Sequence, residues 1–263
     1  MLPAYAELHC LTNFTFLRGA SHAEELVTQA SKLGYAALAI TDECSVAGVV
    51  RAHVEAKDKG LKLIIGSEFK LDDGLRLVLL VENLNGYGNL CELITLARRR
   101  APKGEYSISR ADLVNTSDCL ALWLPPASVP ADALAEESLR GRHGVPLHNE
   151  TSRLADEAQW IAATFNNRAW IAVELHRGPD DVHRLSQLVE LGTATGLPLV
   201  ASGDVHMHIR KRQALQDVVT AIRIGVPVAN AGSALYPNGE RYLRPIGRLA
   251  NIYPAELLLE TLA

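Results

Sequence analysis

The sequence predicts an α/β barrel, on three observations. Short apolar runs alternate with longer amphipathic stretches, Gly and capping residues punctuate the change from one to the other, and no GxGxxG follows the first strand. Alternation of this kind implies parallel strands joined by crossover helices. Without a dinucleotide-binding fingerprint, a barrel is favoured over an open doubly wound sheet. At 263 residues, such a barrel fits in one domain.

Leu8 to Leu11 reads as the end of the first strand. Ser21-His22-Ala23-Glu24 has capping-box spacing, and Leu26, Ala30 and Leu33 follow at helical intervals before Gly34. Ala36–Ile40 is a strand, Val49–Lys59 a helix stopped by Gly60, and Leu61–Ile65 the next strand. Leu75–Val81 is strand-like and Leu90–Arg100 helical. From Ala101 to Asn149 prolines interrupt the pattern, leaving one strand near Leu120–Leu124 with variable connections. Ala169–Leu175 and Leu197–Ala201 are strands, and Asp181–Thr195 and Ala214–Ile224 helices. Beyond Pro227 the chain reads as a loop-rich tail, about 228–263, ending in a helix that looks cut short, so the natural chain is expected to continue.

Composition narrows the function. With 48% hydrophobic and 21% charged residues the chain has ample apolar material for a core. A net charge of −4 gives no global positive field for nucleic acid. The run Arg98-Arg99-Arg100 reads as a solvated helix end favoured by the helix dipole. The four cysteines, Cys10, Cys44, Cys91 and Cys119, lack CxxC spacing, and Cys10 and Cys91 sit in apolar stretches as buried thiols. Neither a signal peptide nor a membrane-spanning run is visible, so the expected location is the cytoplasm, with no membrane partner.

In a parallel barrel, chemistry gathers at the C-terminal ends of the strands. His9 ends the first, Thr41-Asp42-Glu43 the second and Gly66-Ser67-Glu68 the third. Glu174-Leu175-His176-Arg177 and Asp204-Val205-His206-Met207-His208 end two later ones. Imidazoles and carboxylates converging from separate strands suit a hydrolytic metal site, in which the cation activates water and neutralises phosphate oxygens. Each also has a plainer role: His9 as a hydrogen-bonded core histidine, Asp42 as a helix cap, Glu68 as an arginine partner, His208 as a surface group. Five such groups at five strand ends outweigh the separate explanations. Asp204-x-His206 is the strongest pair, since alternate strand residues share a face.

These segments resemble PHP domains of DnaE-type DNA polymerases. Ala6-Glu7-Leu8-His9-Cys10-Leu11-Thr12, with Phe14, Leu17 and Gly19, is similar to the opening motif, and Ala37-Leu38-Ala39-Ile40-Thr41-Asp42 to the second. Leu63-Ile64-Ile65-Gly66-Ser67-Glu68-Phe69 resembles the third and Leu199-Val200-Ala201-Ser202-Gly203-Asp204-Val205-His206 the last. Leu215-Gln216-Asp217-Val218-Val219-Thr220-Ala221-Ile222-Arg223 and Tyr253-Pro254 with Glu256-Leu257-Leu258 look like the error-prone, ImuC class. The resemblance covers nearly the whole chain. It implies an α/β, distorted (β/α)7 PHP-type barrel over 1–263, the N-terminal piece of a longer polymerase. Complete members hold up to three metal ions and hydrolyse phosphoesters, including 3′–5′ proofreading in some bacterial polymerases.

The sequence departs from that pattern. The motif His-x-His reads His9-Cys10-Leu11; Arg18 replaces an aspartate, Glu43 a histidine after Thr41-Asp42, and Arg76 a histidine of the fourth strand. Leucine offers no lone pair, and arginine is a permanent cation that repels a divalent ion. The metal residues that remain are His9, Glu68, Glu174, Asp204 and His206, a vestigial set with no catalytic residue assigned. Glu68, Glu174 and Asp204 are expected in salt bridges, with Arg76 on its strand the stronger partner and Arg18 in a loop free to swing out. The expected cofactor is none, or one weakly bound Zn, Mn or Mg ion, with Mg serving the full-length polymerase. Expected partners are the rest of the polymerase chain, DNA through that protein, and other translesion-synthesis proteins. The competing expectations are an inactive structural domain, a phosphoesterase or exonuclease with a reduced ligand set, and a free-standing PHP phosphatase.

Overall fold

The computed structural model describes residues 4–126 and 147–263, with side chains omitted over 147–152. Seven strands carry the architecture among the described residues: β1 (Ala6–Glu7), β2 (Ala37–Ile40), β3 (Lys62–Lys70), β4 (Arg76–Val81), β5 (Cys119–Trp123), β6 (Ala169–Glu174) and β7 (Leu199–Ser202). They lie in chain order, β1 to β7. The ring is drawn together by a parallel bridge between Cys10 and Val205, where Leu11 N–H donates to Val205 O at 2.8 Å and Val205 N–H to His9 O at 2.9 Å. The result is a nearly closed, distorted (β/α)7 barrel, as the sequence predicts.

The helices are α1 (Ala23–Lys32), α2 (Val49–Lys59), α3 (Leu84–Arg99), α4 (Leu147–Phe165), α5 (Asp181–Thr195), α6 (Gln213–Ile224), α7 (Ile246–Leu249) and α8 (Ala255–Leu259). Residue alternation sorts each strand between two apolar layers. Ala37, Ala39, Val78, Leu80, Leu122, Ala172 and Val200 cluster with one another and form the lumen. Leu38, Ile40, Leu77, Leu79, Ile171 and Val173 point the other way, onto Leu26, Ala52, Leu90, Ile161 and Leu188 of the helices. Burial on both faces explains why the strands read as continuous apolar runs.

Three expectations need correction. The barrel is not uniformly parallel: β4 runs antiparallel to both β3 and β5. The connection after Lys70 is too short for a crossover helix, which a parallel return requires. Instead Leu71 N–H donates to Leu75 O at 2.8 Å, with Gly74 at φ 92° making the turn, and β3 extends past Ile65 to carry Glu68 inside the strand. The first strand lies earlier than Leu8–Leu11, at Ala6–Glu7, because the His9 N–H leaves the ladder for Glu7 Oε1 at 3.0 Å. At α1 the cap shifts by one residue: Glu25 Oε2 accepts the His22 N–H at 2.9 Å, while Ser21 Oγ accepts the His208 N–H at 2.9 Å.

Elsewhere α2 and α5 keep their expected bounds. Helix α3 starts at Leu84, six residues early, because the Asn83 side chain accepts the Asn85 and Gly86 N–H groups. The expected irregular stretch 101–149 falls partly, at 127–146, outside the described residues, and α4 follows it. The tail is pinned to the barrel: Thr261 Oγ1 accepts the Ala6 N–H at 3.0 Å, and Trp170 Nε1–H donates to Glu260 at 2.7 Å. An apolar cavity of about 560 Å³ lined by Ala6, Ala37, Leu80, Leu122, Trp170 and Val200 opens at that end. The polar cluster lies at the other.

Candidate functional site

His9, two residues beyond β1, is fully buried and is the hub of the cluster. Its Nδ1 lies 2.8 Å from Glu174 Oε1 at the end of β6 and 3.8 Å from Asp204 Oδ1 just past β7; its Nε2 is 3.4 Å from Glu68 Oε2. Burial pulls the imidazole toward neutrality, but the hydrogen bonds and charges of Glu174 and Glu68 outweigh it and raise the pKa to about 9.

Glu68, 1% exposed, is held from two sides. Arg76 Nη2 and Nε approach Oε1 at 2.5 and 3.2 Å, and Arg18 Nη2 approaches Oε2 at 3.0 Å. Although burial opposes ionisation, Arg18, His9 and Arg76 hold the carboxyl well below its usual range. Arg76 reaches this place because β4 is antiparallel: its first residue lies where the other strands end. Arg18 does not swing into solvent. It also pairs with Glu43, whose Oε1 accepts the Tyr106 hydroxyl at 2.8 Å, and Gln216 of α6 donates to the Arg18 carbonyl at 2.9 Å.

Asp204 follows Gly203, where a Cβ would stand 2.3 Å from Glu7 Oε2, and adopts φ 41°, a left-handed value aspartate tolerates. Its Oδ1 accepts from His206 Nε2 at 2.9 Å, and its Oδ2 is ion-paired with Arg241. Asp204 and His206 therefore do meet, but through a turn, since β7 ends at Ser202. His206 is fully buried; burial, then Arg18 and His9, keep it neutral, and its Nδ1 has no partner.

Of the five expected metal residues, three offer donor atoms within 4.8 Å of one another: His9, Glu174 and Asp204. Glu68 is turned to its arginines and His206 stands behind Asp204. A neutral imidazole with two carboxylates is a donor set for one divalent cation. Here, however, His9 Nδ1 and Nε2 are engaged by Glu174 and Glu68, and Asp204 has a guanidinium on its second oxygen. Asp42 is a turn-holder and caps no helix: its carboxylate accepts the Thr12 N–H at 2.8 Å and the Thr12 and Thr15 hydroxyls at 2.8 and 2.7 Å. His176 donates to Gly203 O at 3.0 Å.

Arg241 and Tyr236 are the site residues the sequence reading missed. The Arg241 carbonyl accepts N–H bonds from His206 at 3.0 Å and Met207 at 3.2 Å, which fixes its backbone beside the site. Its guanidinium lies over the Tyr236 ring at 4.2 Å, and that ring meets His206 edge-on at 5.3 Å. Burial lowers the Arg241 pKa to about 10, still a cation at neutral pH. Both lie in a stretch read as loop, with no periodicity to mark them. Arg98 was misread too: its guanidinium donates to the Glu43 and Cys44 carbonyls, each at 3.2 Å. All four cysteines are free, but Cys91 is only partly buried.

Residues 7–177, from the end of β1 to just past β6, match the PHP domain family. This chain belongs to that family. It is 55% identical over 267 residues to an error-prone DNA polymerase of Dechloromonas aromatica (strain RCB), covering 99% of this chain and 24% of that protein. A second error-prone DNA polymerase, from Methylococcus capsulatus, is 54% identical over 260 residues, covering 98% of this chain and 22% of that protein. The chain thus spans about a quarter of the length of these curated relatives. Among solved structures, an amidohydrolase from Chromobacterium violaceum with bound sulfate and no metal aligns at TM-score 0.50 and 15% identity, covering 77% of this chain and 88% of that one. That likeness shows the fold alone.

Proposed function

We propose that this PHP domain is a structural and interaction module at the N-terminal end of an error-prone DNA polymerase, with its metal site retired. One observation carries the reading: Glu68 and Asp204, two carboxylates at the site, are neutralised by Arg18, Arg76 and Arg241. Fixed guanidinia supply the positive charge that bound cations would supply, without an exchangeable coordination position. The His9–Glu174–Asp204 donor group supports a second reading, a phosphoesterase working with one metal ion. The Arg241 pair on Asp204 and the arginine pairs on Glu68 count against it.

In the leading reading the barrel buttresses the remainder of the polymerase. In this reading, deoxynucleotide transfer to a primer 3′ end, with carboxylate-bound Mg²⁺, would belong to the part of the parent protein outside this chain, which spans 24% of one relative. The parent protein would act in the cytoplasm in synthesis past DNA damage, alongside other translesion proteins. The test is metal content by mass spectrometry after dialysis against Mn²⁺ and Zn²⁺. The proposal expects well under one ion per chain; three ions at full occupancy would overturn it.

A further inference from the structure

The three guanidinia at the site are not equivalent. Arg18 and Arg76 both spend their charge on Glu68, so either one leaves that carboxylate paired when the other is removed. Among the described residues, Arg241 is the one guanidinium paired with Asp204. It is also the cation beside the one place, among the described residues, where three donor atoms, from His9, Glu174 and Asp204, lie within 4.8 Å of one another.

We propose that Arg241 is a tethered stand-in for a metal ion: its guanidinium plugs the His9–Glu174–Asp204 cup, and withdrawing it opens a site for one divalent cation. This inference rests on the retired-site reading above and adds which residue keeps the site closed. The plug is built from the chain's own backbone pairing. His206 and Met207 donate to the Arg241 carbonyl, Leu243 N–H donates to Met207 O at 3.3 Å, and Met207 and Tyr242 form a parallel bridge. These bonds are main-chain, so truncating the side chain leaves the segment in place. Tyr236 backs the guanidinium from the other side.

Access favours exchange at this position. The side chains of Arg241 and Glu174 are 20% and 15% exposed, whereas His9 and Glu68 are sealed at 0% and 1%. A cation entering where the guanidinium stood would meet two carboxylates and the His9 imidazole, whose donor atoms lie within 4.8 Å of one another. His206 would stay bonded to Asp204 from behind, the kind of support that orients a ligating carboxylate.

The experiment is Mn²⁺ binding to the 263-residue chain, read by electron paramagnetic resonance and calorimetry, for wild type, Arg241→Ala, Arg241→Gln and Arg241→Ala/Asp204→Asn. Arg241→Gln keeps most of the volume and a donor to Asp204, so it reports on charge if the alanine variant fails to fold. The expected result is one Mn²⁺ per chain in the single variants. Their affinity should exceed wild type by on the order of 100-fold or more, the scale of removing a like charge a few ångströms away. Adding Asp204→Asn should abolish the gain. A folded single variant that binds Mn²⁺ no better than wild type overturns the plug and leaves the retired-site reading standing. Tight stoichiometric binding by wild type itself would overturn both.

Discussion

Arg76 closes on a single oxygen of Glu68, Oε1, with Nη2 at 2.5 Å and Nε at 3.2 Å, while Arg18 lies nearest the other oxygen, at 3.0 Å, which it shares with His9. The two guanidinia thus back each other up on one buried carboxylate. Removing either takes away charge-assisted hydrogen bonds worth about 2 kcal/mol but does not strand the charge. Removing both leaves only His9 at 3.4 Å, and stripping a buried charge of its main partners is destabilising by about 3–5 kcal/mol. Arg18→Ala and Arg76→Ala should each lower urea-unfolding stability modestly, and the double variant by more than their sum. Single variants that unfold like wild type would remove Glu68 pairing as a source of stability.

A nuclease assay tests the chemistry directly. With Glu68 and Asp204 ion-paired, the chain should not remove 3′-terminal nucleotides above background, even with Mn²⁺ or Zn²⁺ added. Metal-stimulated exonuclease activity that vanishes in Asp204→Ala would reverse this conclusion.

Asp42 gives a pH prediction. Burial raises its pKa from the ordinary 3.8, and the hydrogen bonds from Thr15 and Thr12 only partly offset that. A carboxyl whose folded pKa is raised binds more protons folded than unfolded, so its contribution favours folding at low pH. That contribution declines as pH climbs from about 3.8 through the raised value. Asp42→Asn should flatten this part of the stability profile while losing about 1 kcal/mol from the hydroxyl it can no longer accept. Denaturation midpoints compared from pH 4 to 7 decide it; parallel wild-type and Asn curves refute it.

Tyr253 ties the tail to the strand ends. Its hydroxyl donates to Ser202 O at 2.8 Å, accepts the Leu175 N–H at 3.0 Å, and receives Arg244 Nη2 at 3.3 Å. Tyr253→Phe leaves a buried N–H and a buried carbonyl unpaired, a loss of about 1–3 kcal/mol each. Hydrogen exchange should show the backbone of 244–262 opening first, ahead of β6 and β7. Unchanged protection there would mean that the apolar contacts of Leu249, Leu257 and Leu258 hold the tail by themselves.

Much of the barrel was legible because its strands are buried on both faces and its helices carry one apolar stripe. What escaped notice depends on particular residues. The reversal of β4 was signalled by Asp72-Asp73-Gly74, a hairpin turn between two apolar runs, but the rhythm of alternation overrode it. Leu154, Ala158, Ile161 and Phe165 mark α4 at helical spacing and went unread beside a proline-rich stretch. The early start of α3 was masked by Gly86 and Gly88; Gly86 is there because a Cβ would lie 2.0 Å from the Asp118 carbonyl. At the site, His9, Glu68, Glu174 and Asp204 were visible as polar groups ending apolar runs. Arg241 was not, since its position depends on pairing with His206 and Met207, far away in sequence.

The ring closes between residues made at very different times. Glu7 grips the Gly203 N–H across 196 positions of sequence, beside the Cys10–Val205 bridge. On a ribosome adding roughly 5–20 residues per second, β1 waits roughly ten to forty seconds for its second neighbour. During that wait its outer edge offers unpaired backbone groups to any passing strand. The length of β1, two residues, keeps that edge short. His9 cannot meet Asp204 until the late segment arrives, so the ion pairs form as the barrel shuts and serve as its clasp.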